Sequence, residues 1–188
     1  EYIKASPLGF IGCSTSGLIL SAIYSFLPNY AIDNNLVVST IVGSTIAGGF
    51  CLQWPIGKLS DIFDRVKIIM GLSLFLMIFS FIFLFGVINN FIVICITAFC
   101  LGGASFAIYP VCIAQVCDHL EHNNIINVTG VLLFSYAIGA VCGPPIVATF
   151  IKSFSVDALF YYLAFVLTIF IIYIANFEFN QITHTPHC

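Results

Sequence analysis

Charged side chains are so few in this chain that each is a candidate for chemistry. Five of the thirteen, Lys58, Asp61, Asp64, Arg65 and Lys67, fall in the single stretch Gly57–Lys67. No other charged residue occurs for twenty positions on either side. A carboxylate near a helix N-terminus is held by free backbone amides and by the helix dipole, typically by about 0.3–1 kcal/mol. A nearby arginine can bridge to a second helix end. The chemistry on offer is an ionic latch between helix ends; the plainer alternative is a charged cap on a loop. A second set of candidates carries hydroxyls and small side chains. Ser14, Gly17, Ser21, Tyr24 and Pro28 recur at three- and four-residue steps, as do Gly102, Ser105, Tyr109 and Cys112. Each set falls on one face of a helix.

Other chemistries find less support. Gly103-Ala104-Ser105-Phe106 is a near miss of the Gly-x-Ser-Gly of a six-span intramembrane serine protease. That mechanism needs a histidine base within reach of the serine. His119, His122, His184 and His187 all lie outside the apolar runs, so no enzyme is expected. The eight cysteines include no Cys-x-x-Cys and lie mostly in apolar runs, where cysteine acts as a small hydrophobe. No metal and no cofactor are expected. A net charge of -3 without a basic patch excludes nucleic acid as a partner.

The elements that position these residues follow from composition. Of 188 residues, 61% are hydrophobic and 7% charged, with a mean hydropathy of +1.12. A soluble domain carries about 25% charged residues, so the chain is an integral membrane protein. A helix crosses the hydrocarbon core with about 20 apolar residues. Six runs of that kind occur, at about 7–27, 36–56, 68–88, 91–116, 128–151 and 158–175. Continuous rather than alternating hydrophobicity favours helices over barrel strands. The expected domain is a six-helix unit over 1–180 with a polar tail at 181–188. Short links at Pro28–Asn35, Gly57–Lys67, Asn89–Asn90, Cys117–Asn127 and Lys152–Asp157 force neighbouring helices to run antiparallel.

Orientation follows from the basic residues. Lys4, Lys58, Arg65 and Lys67 share one side and Lys152 takes the other, so the first side and both termini are expected in the cytoplasm. The chain also carries a faint internal repeat. Ala-Ile-Tyr recurs 85 residues apart, ending at Tyr24 and Tyr109. Ser44/Ser135, Gly48/Gly139 and Cys51/Cys142 recur 91 apart. Two triplets of helices are implied. Three is odd, so the second triplet enters from the opposite side, and inverted repeats of this kind mark transporters.

Several motifs point to one family. Gly57, Asp61 and Arg65 match Gly-x-x-x-Asp-(Arg/Lys)-x-Gly-(Arg/Lys), the loop between helices two and three of a major facilitator half; Ile62 and Asp64 replace a base and a glycine. Gly139-Ala140-Val141-Cys142-Gly143-Pro144-Pro145 resembles the Gly-x-x-x-Gly-Pro motif on helix five of drug and proton antiporters of that superfamily. The glycines allow close helix approach, and Pro144 removes an amide donor and would bend the helix. Leu52-Gln53-Trp54-Pro55-Ile56-Gly57-Lys58-Leu59, Gly103–Val111, Leu120-Glu121-His122 and Leu132–Gly139 resemble the C-terminal half of the bacterial YcaD-like branch. This similarity covers nearly the whole chain in order.

The resemblance implies an all-α membrane fold, one half of a major facilitator carrier with a 3+3 inverted repeat. It implies alternating-access transport of a small solute by an efflux-type secondary carrier in the bacterial inner membrane. An N-terminal six-helix half, from the same original chain or a second copy, would complete it, with lipid and solute as the other partners. The first and fourth helices would line the pathway, with Ser21, Tyr24, Ser105 and Tyr109 as cavity residues. Serine hydroxyls bonded to their own helix are the alternative. Gly57, Asp61, Arg65 and Lys67 would form the cytoplasmic gate, and Gly139, Gly143 and Pro144 a packing and bending motif. No Asp, Glu, Lys or Arg lies inside any of the six runs, and a cavity without a fixed charge fits a neutral or amphipathic solute. The competing reading is a truncated or degenerate half-carrier acting as a membrane scaffold; Glu1 in place of a methionine raises it.

Overall fold

The computed structural model describes residues 7–85, 90–118, 125–154 and 158–184. They form six helices: α1 Pro7–Asp33, α2 Val38–Ile62, α3 Arg65–Leu84, α4 Phe91–Cys117, α5 Ile125–Phe154 and α6 Ala158–His184. No strand occurs among the described residues. Five of the six contain segments long and apolar enough to cross a bilayer. The exception, α2, has 25 residues and the length to cross. It is more polar because it carries Ser39, Thr40, Ser44, Thr45, Gln53, Lys58, Ser60 and Asp61.

Helix ends differ from the apolar runs, because apolar length measures the bilayer core and caps decide where a helix stops. α1 continues through Pro28 to Asp33. It is closed by Asn35, which adopts the left-handed conformation with φ of 55°. Leu36 N bonds Ala31 O at 2.8 Å and Asn35 N bonds Ile32 O at 3.0 Å, the paired pattern that satisfies the last carbonyls. The expected loop Gly57–Lys67 is mostly helical. α2 runs to Ile62, α3 begins at Arg65, and only Phe63 and Asp64 link them. The Asp64 carboxylate accepts the Val66 amide at 2.9 Å and caps α3. Asn90 caps α4 in the same way through Ile92 N at 3.0 Å. The backbone of α6 reaches His184, so four residues of the expected tail at 181–188 are helical and the rest lie outside the described residues.

Helix association in lipid depends on close packing rather than on a hydrophobic drive. The two most extensive pairings join helices distant in sequence, α1 with α5 and α2 with α4. Glycines permit both. A Cβ on Gly17 would strike Tyr136 O, and one on Gly102 would strike Thr45 O. A Cβ on Gly139 would strike Ser14 O, and one on Gly48 would strike Phe99 O. The members of each comparison differ by 85 positions on α1 and α4 and by 91 on α2 and α5, so the repeat seen in the sequence is a repeat of contacts. Hydroxyls depart from it. Ser135 Oγ donates to Phe10 O at 2.8 Å and lies 2.7 Å from Ser14 Oγ. Phe99 stands in the place of Ser14, which confines this hydroxyl pair to α1 and α5.

The bundle is tied at both ends. At one, Tyr30, Phe83 and Phe160 pack with ring centroids 4.8 to 5.6 Å apart, joining α1, α3 and α6. Each such pair contributes about 0.5–1.5 kcal/mol beyond the area it buries. The charged cluster around Arg65 lies at the other end.

Candidate solute cavity and gate

A cavity of about 470 Å³ opens between the two glycine-packed helix pairs. Its walls come from all four helices: Leu20 of α1, Gln53 of α2, Phe106, Tyr109, Pro110, Ile113 and Ala114 of α4, and Tyr136 of α5. Tyr109 and Tyr136 lean together with centroids 4.8 Å apart. Tyr24 stands edge-on to Phe106 at 5.9 Å and is 37% exposed. Tyr24 and Tyr109 are partners in the 85-residue repeat, and both turn aromatic surface toward this side of the bundle. The lining offers phenol hydroxyls, one amide and aromatic faces, without a formal charge. Such a surface recognises a ring or an amphipathic molecule by stacking, with a few hydrogen bonds to orient it.

The four residues singled out from the sequence fall in different places. Tyr109 lines the cavity, and Tyr24 touches Phe106 in its wall. Ser21 turns toward α5: its hydroxyl bonds Leu18 O at 3.3 Å and occupies the space a Cβ on Gly143 would need. Ser105 is fully buried. It donates to Leu101 O at 2.8 Å and Gly102 O at 3.0 Å, back to its own helix. It does not reach the cavity, because Gly102 and Gly103 draw α2 tightly over that turn of α4. Gln53, Phe106 and Tyr136 were not singled out. Gln53 had a signal, an amide inside an apolar run; Tyr136 had one beside Ser135, in a stretch already noted for its resemblance.

At the charged end, Arg65 gathers two carboxylates from two other helices. Its Nη2 lies 3.2 Å from Asp61 Oδ1, one turn back across the α2–α3 link. Nε donates to Asp118 Oδ2 and Nη2 donates to Oδ1 at 3.2 Å, a two-pronged pairing with the residue that ends α4. Asp61 and Asp118 sit at helix C-termini and Arg65 at a helix N-terminus, each the unfavourable sign for the local dipole. Their pairing offsets all three. The Arg65 side chain is 19% exposed, against 68% for Asp61 and 50% for Asp118. Asp118 is the partner the sequence did not tie to Arg65.

Asp64, in place of the usual glycine, is spent on capping α3. Gly57 faces open space and lines a cavity of about 210 Å³ with Gln53, Asp61, Arg65 and Pro110. Lys67 is exposed and stands apart from the cluster. In α5, Gly139 and Gly143 both pack on α1, and the helix continues through Pro144 and Pro145.

Six helices in two triplets, with the equivalent glycines of each triplet making equivalent contacts, have the architecture of one half of a major facilitator fold. Residues 9–182 match the family model described as Major Facilitator Superfamily, and the chain belongs to that superfamily. It is 29% identical over 187 residues to the uncharacterized MFS-type transporter YcaD of Escherichia coli O139:H28 (strain E24377A / ETEC). The same identity relates it to the YcaD protein of Escherichia coli strain K12 / DH10B. In each case the similarity covers 98% of this chain and 47% of the relative, so the chain spans about half the length of these relatives.

Proposed function

We propose that this chain forms the C-terminal half of a secondary carrier of the bacterial inner membrane, which exports a small neutral or amphipathic solute by alternating access. The observation that carries the reading is the aromatic cavity shared by α1, α2, α4 and α5. Halves of this superfamily rock about a site near the midplane, and in this reading a second half closes the cavity. The Arg65 cluster is the latch at the cytoplasmic end: it holds α2, α3 and α4 together in one state and releases them in the other. Both termini lie in the cytoplasm. No covalent step is involved, and binding rests on Tyr109, Tyr136, Gln53 and Phe106.

Flux into proteoliposomes holding the full-length carrier tests this, with a panel of uncharged and singly charged ring-bearing solutes. Saturable flux of at least one class is expected, with KM raised about two- to tenfold by Tyr136→Ala, the scale of losing one aromatic stacking contact. Absence of flux across the panel would overturn the reading.

A further inference from the structure

Two consecutive helices in sparse contact leave a groove. α2 and α3 are joined by two residues yet touch sparsely, because α2 is drawn onto α4 through Gly48 and Gly102. Between them runs an apolar groove of about 330 Å³, walled by Leu52, Ile56 and Leu59 of α2 and by Ile68, Gly71 and Phe75 of α3. No atom lies within 4 Å of the place a Cβ on Gly71 would take, so no side chain fills the middle of the groove. Leu59 and Phe75 are 45% and 38% exposed, which opens it to the surrounding lipid.

Lys67 closes one end. It lines the groove from the first turn of α3, is exposed, and has no ion pair among the described residues. The nearest carboxylates on its own stretch are committed elsewhere, Asp61 to Arg65 and Asp64 to the α3 cap. Trp54 is 69% exposed, and Lys58 Nζ sits 4.2 Å from its ring centroid, a pairing suited to the headgroup layer. A lysine at this level turns its ammonium toward the headgroups while its stem stays on apolar surface. A cation with no ion pair among the described residues, at the mouth of an apolar groove, complements an anionic headgroup joined to an acyl chain.

We propose that the groove between α2 and α3 is a binding site for an anionic phospholipid, with one acyl chain along Gly71 and the phosphate on Lys67. The lipid then bridges two helices that scarcely touch, beside the Arg65 cluster. The test places the photoreactive amino acid benzoylphenylalanine at Phe75 of the full-length protein, in bilayers of equal phosphatidylglycerol and phosphatidylcholine. Lipid adducts on that peptide are then counted by mass spectrometry. Phosphatidylglycerol adducts should exceed phosphatidylcholine adducts about fivefold, the scale of one lysine at an anionic surface. Lys67→Gln should bring the ratio to parity and Lys67→Arg should keep it. The same probe at Phe165 of α6, a lipid-exposed position outside the groove, should show parity throughout. Parity at Phe75 with Lys67 intact, a ratio unmoved by Lys67→Gln, or an equal preference at Phe165 would each overturn the proposal.

Discussion

Arg65 and Asp118 are 53 residues apart in the chain, and the guanidinium of one meets the carboxylate of the other through two nitrogens. This pairing joins the start of α3 to the end of α4, and Asp61 draws the end of α2 into the same cluster. Partly exposed ion pairs contribute about 0.2–1 kcal/mol each, a size that suits the proposed latch. A double-mutant cycle with Arg65→Gln and Asp118→Asn should give a coupling of about 0.2–1 kcal/mol in thermal unfolding in detergent. Asp61→Asn, which leaves the two-pronged pair intact, should cost less than Asp118→Asn. Zero coupling between Arg65 and Asp118 would remove the latch.

The glycine contacts give a sharper contrast. Gly48→Ala puts a methyl group against the backbone of Phe99 and should destabilise the bundle by about 1–3 kcal/mol. Gly43→Ala, five residues earlier on the same helix, meets nothing within 4 Å. It should be neutral or stabilise by up to about 1 kcal/mol, the intrinsic preference of alanine over glycine in a helix. Gly139→Ala should behave like Gly48→Ala, because the two positions are equivalent in the repeat. Similar melting temperatures for the Gly43 and Gly48 variants would contradict the close approach of α2 and α4.

How much of this was legible in the sequence depends on the physics behind each feature. The six helices were legible because a bilayer demands long apolar segments. Their ends were less so: a charged stretch such as Lys58–Ile62 can extend a helix into the headgroup layer, and only the Asp64 cap showed where α3 begins. The 3+3 repeat was visible through Gly48/Gly139, because close backbone contact tolerates few residue types, and through Tyr24/Tyr109. The cavity was half legible. Tyr109 was found because a phenol in an apolar run needs a reason; Ser105 satisfied the same pattern four residues away, but a short hydroxyl bonds its own helix. Gln53 and Tyr136 depend on how α2 and α5 are rotated, which is set by packing between distant segments and leaves only a weak local trace.

The Ser14–Ser135 pair makes a separate prediction. Ser135 bonds the backbone of α1 and lies against Ser14, so Ser135→Ala removes hydrogen bonds between two helices. Interhelical hydrogen bonds in membranes contribute about 0.6 kcal/mol on average and up to about 1.7. A loss in that range is expected for Ser135→Ala. Ser105→Ala should cost less, since its hydroxyl bonds only its own helix. Unfolding in detergent distinguishes the two, and the reverse order would show that the hydroxyl pair does not hold α1 to α5.

Solute-facing side chains in an alternating-access carrier must be reachable from each side of the membrane in turn. The most direct measurement is labelling of Gln53→Cys, in a full-length carrier whose native cysteines are replaced by serine or alanine. A membrane-impermeant maleimide is applied from one side and then from the other. Labelling is expected from both sides, and Asp61→Asn should raise it from the cytoplasmic side while lowering it from the opposite side. Labelling from one side alone, unchanged by Asp61→Asn, would contradict alternating access through this cavity.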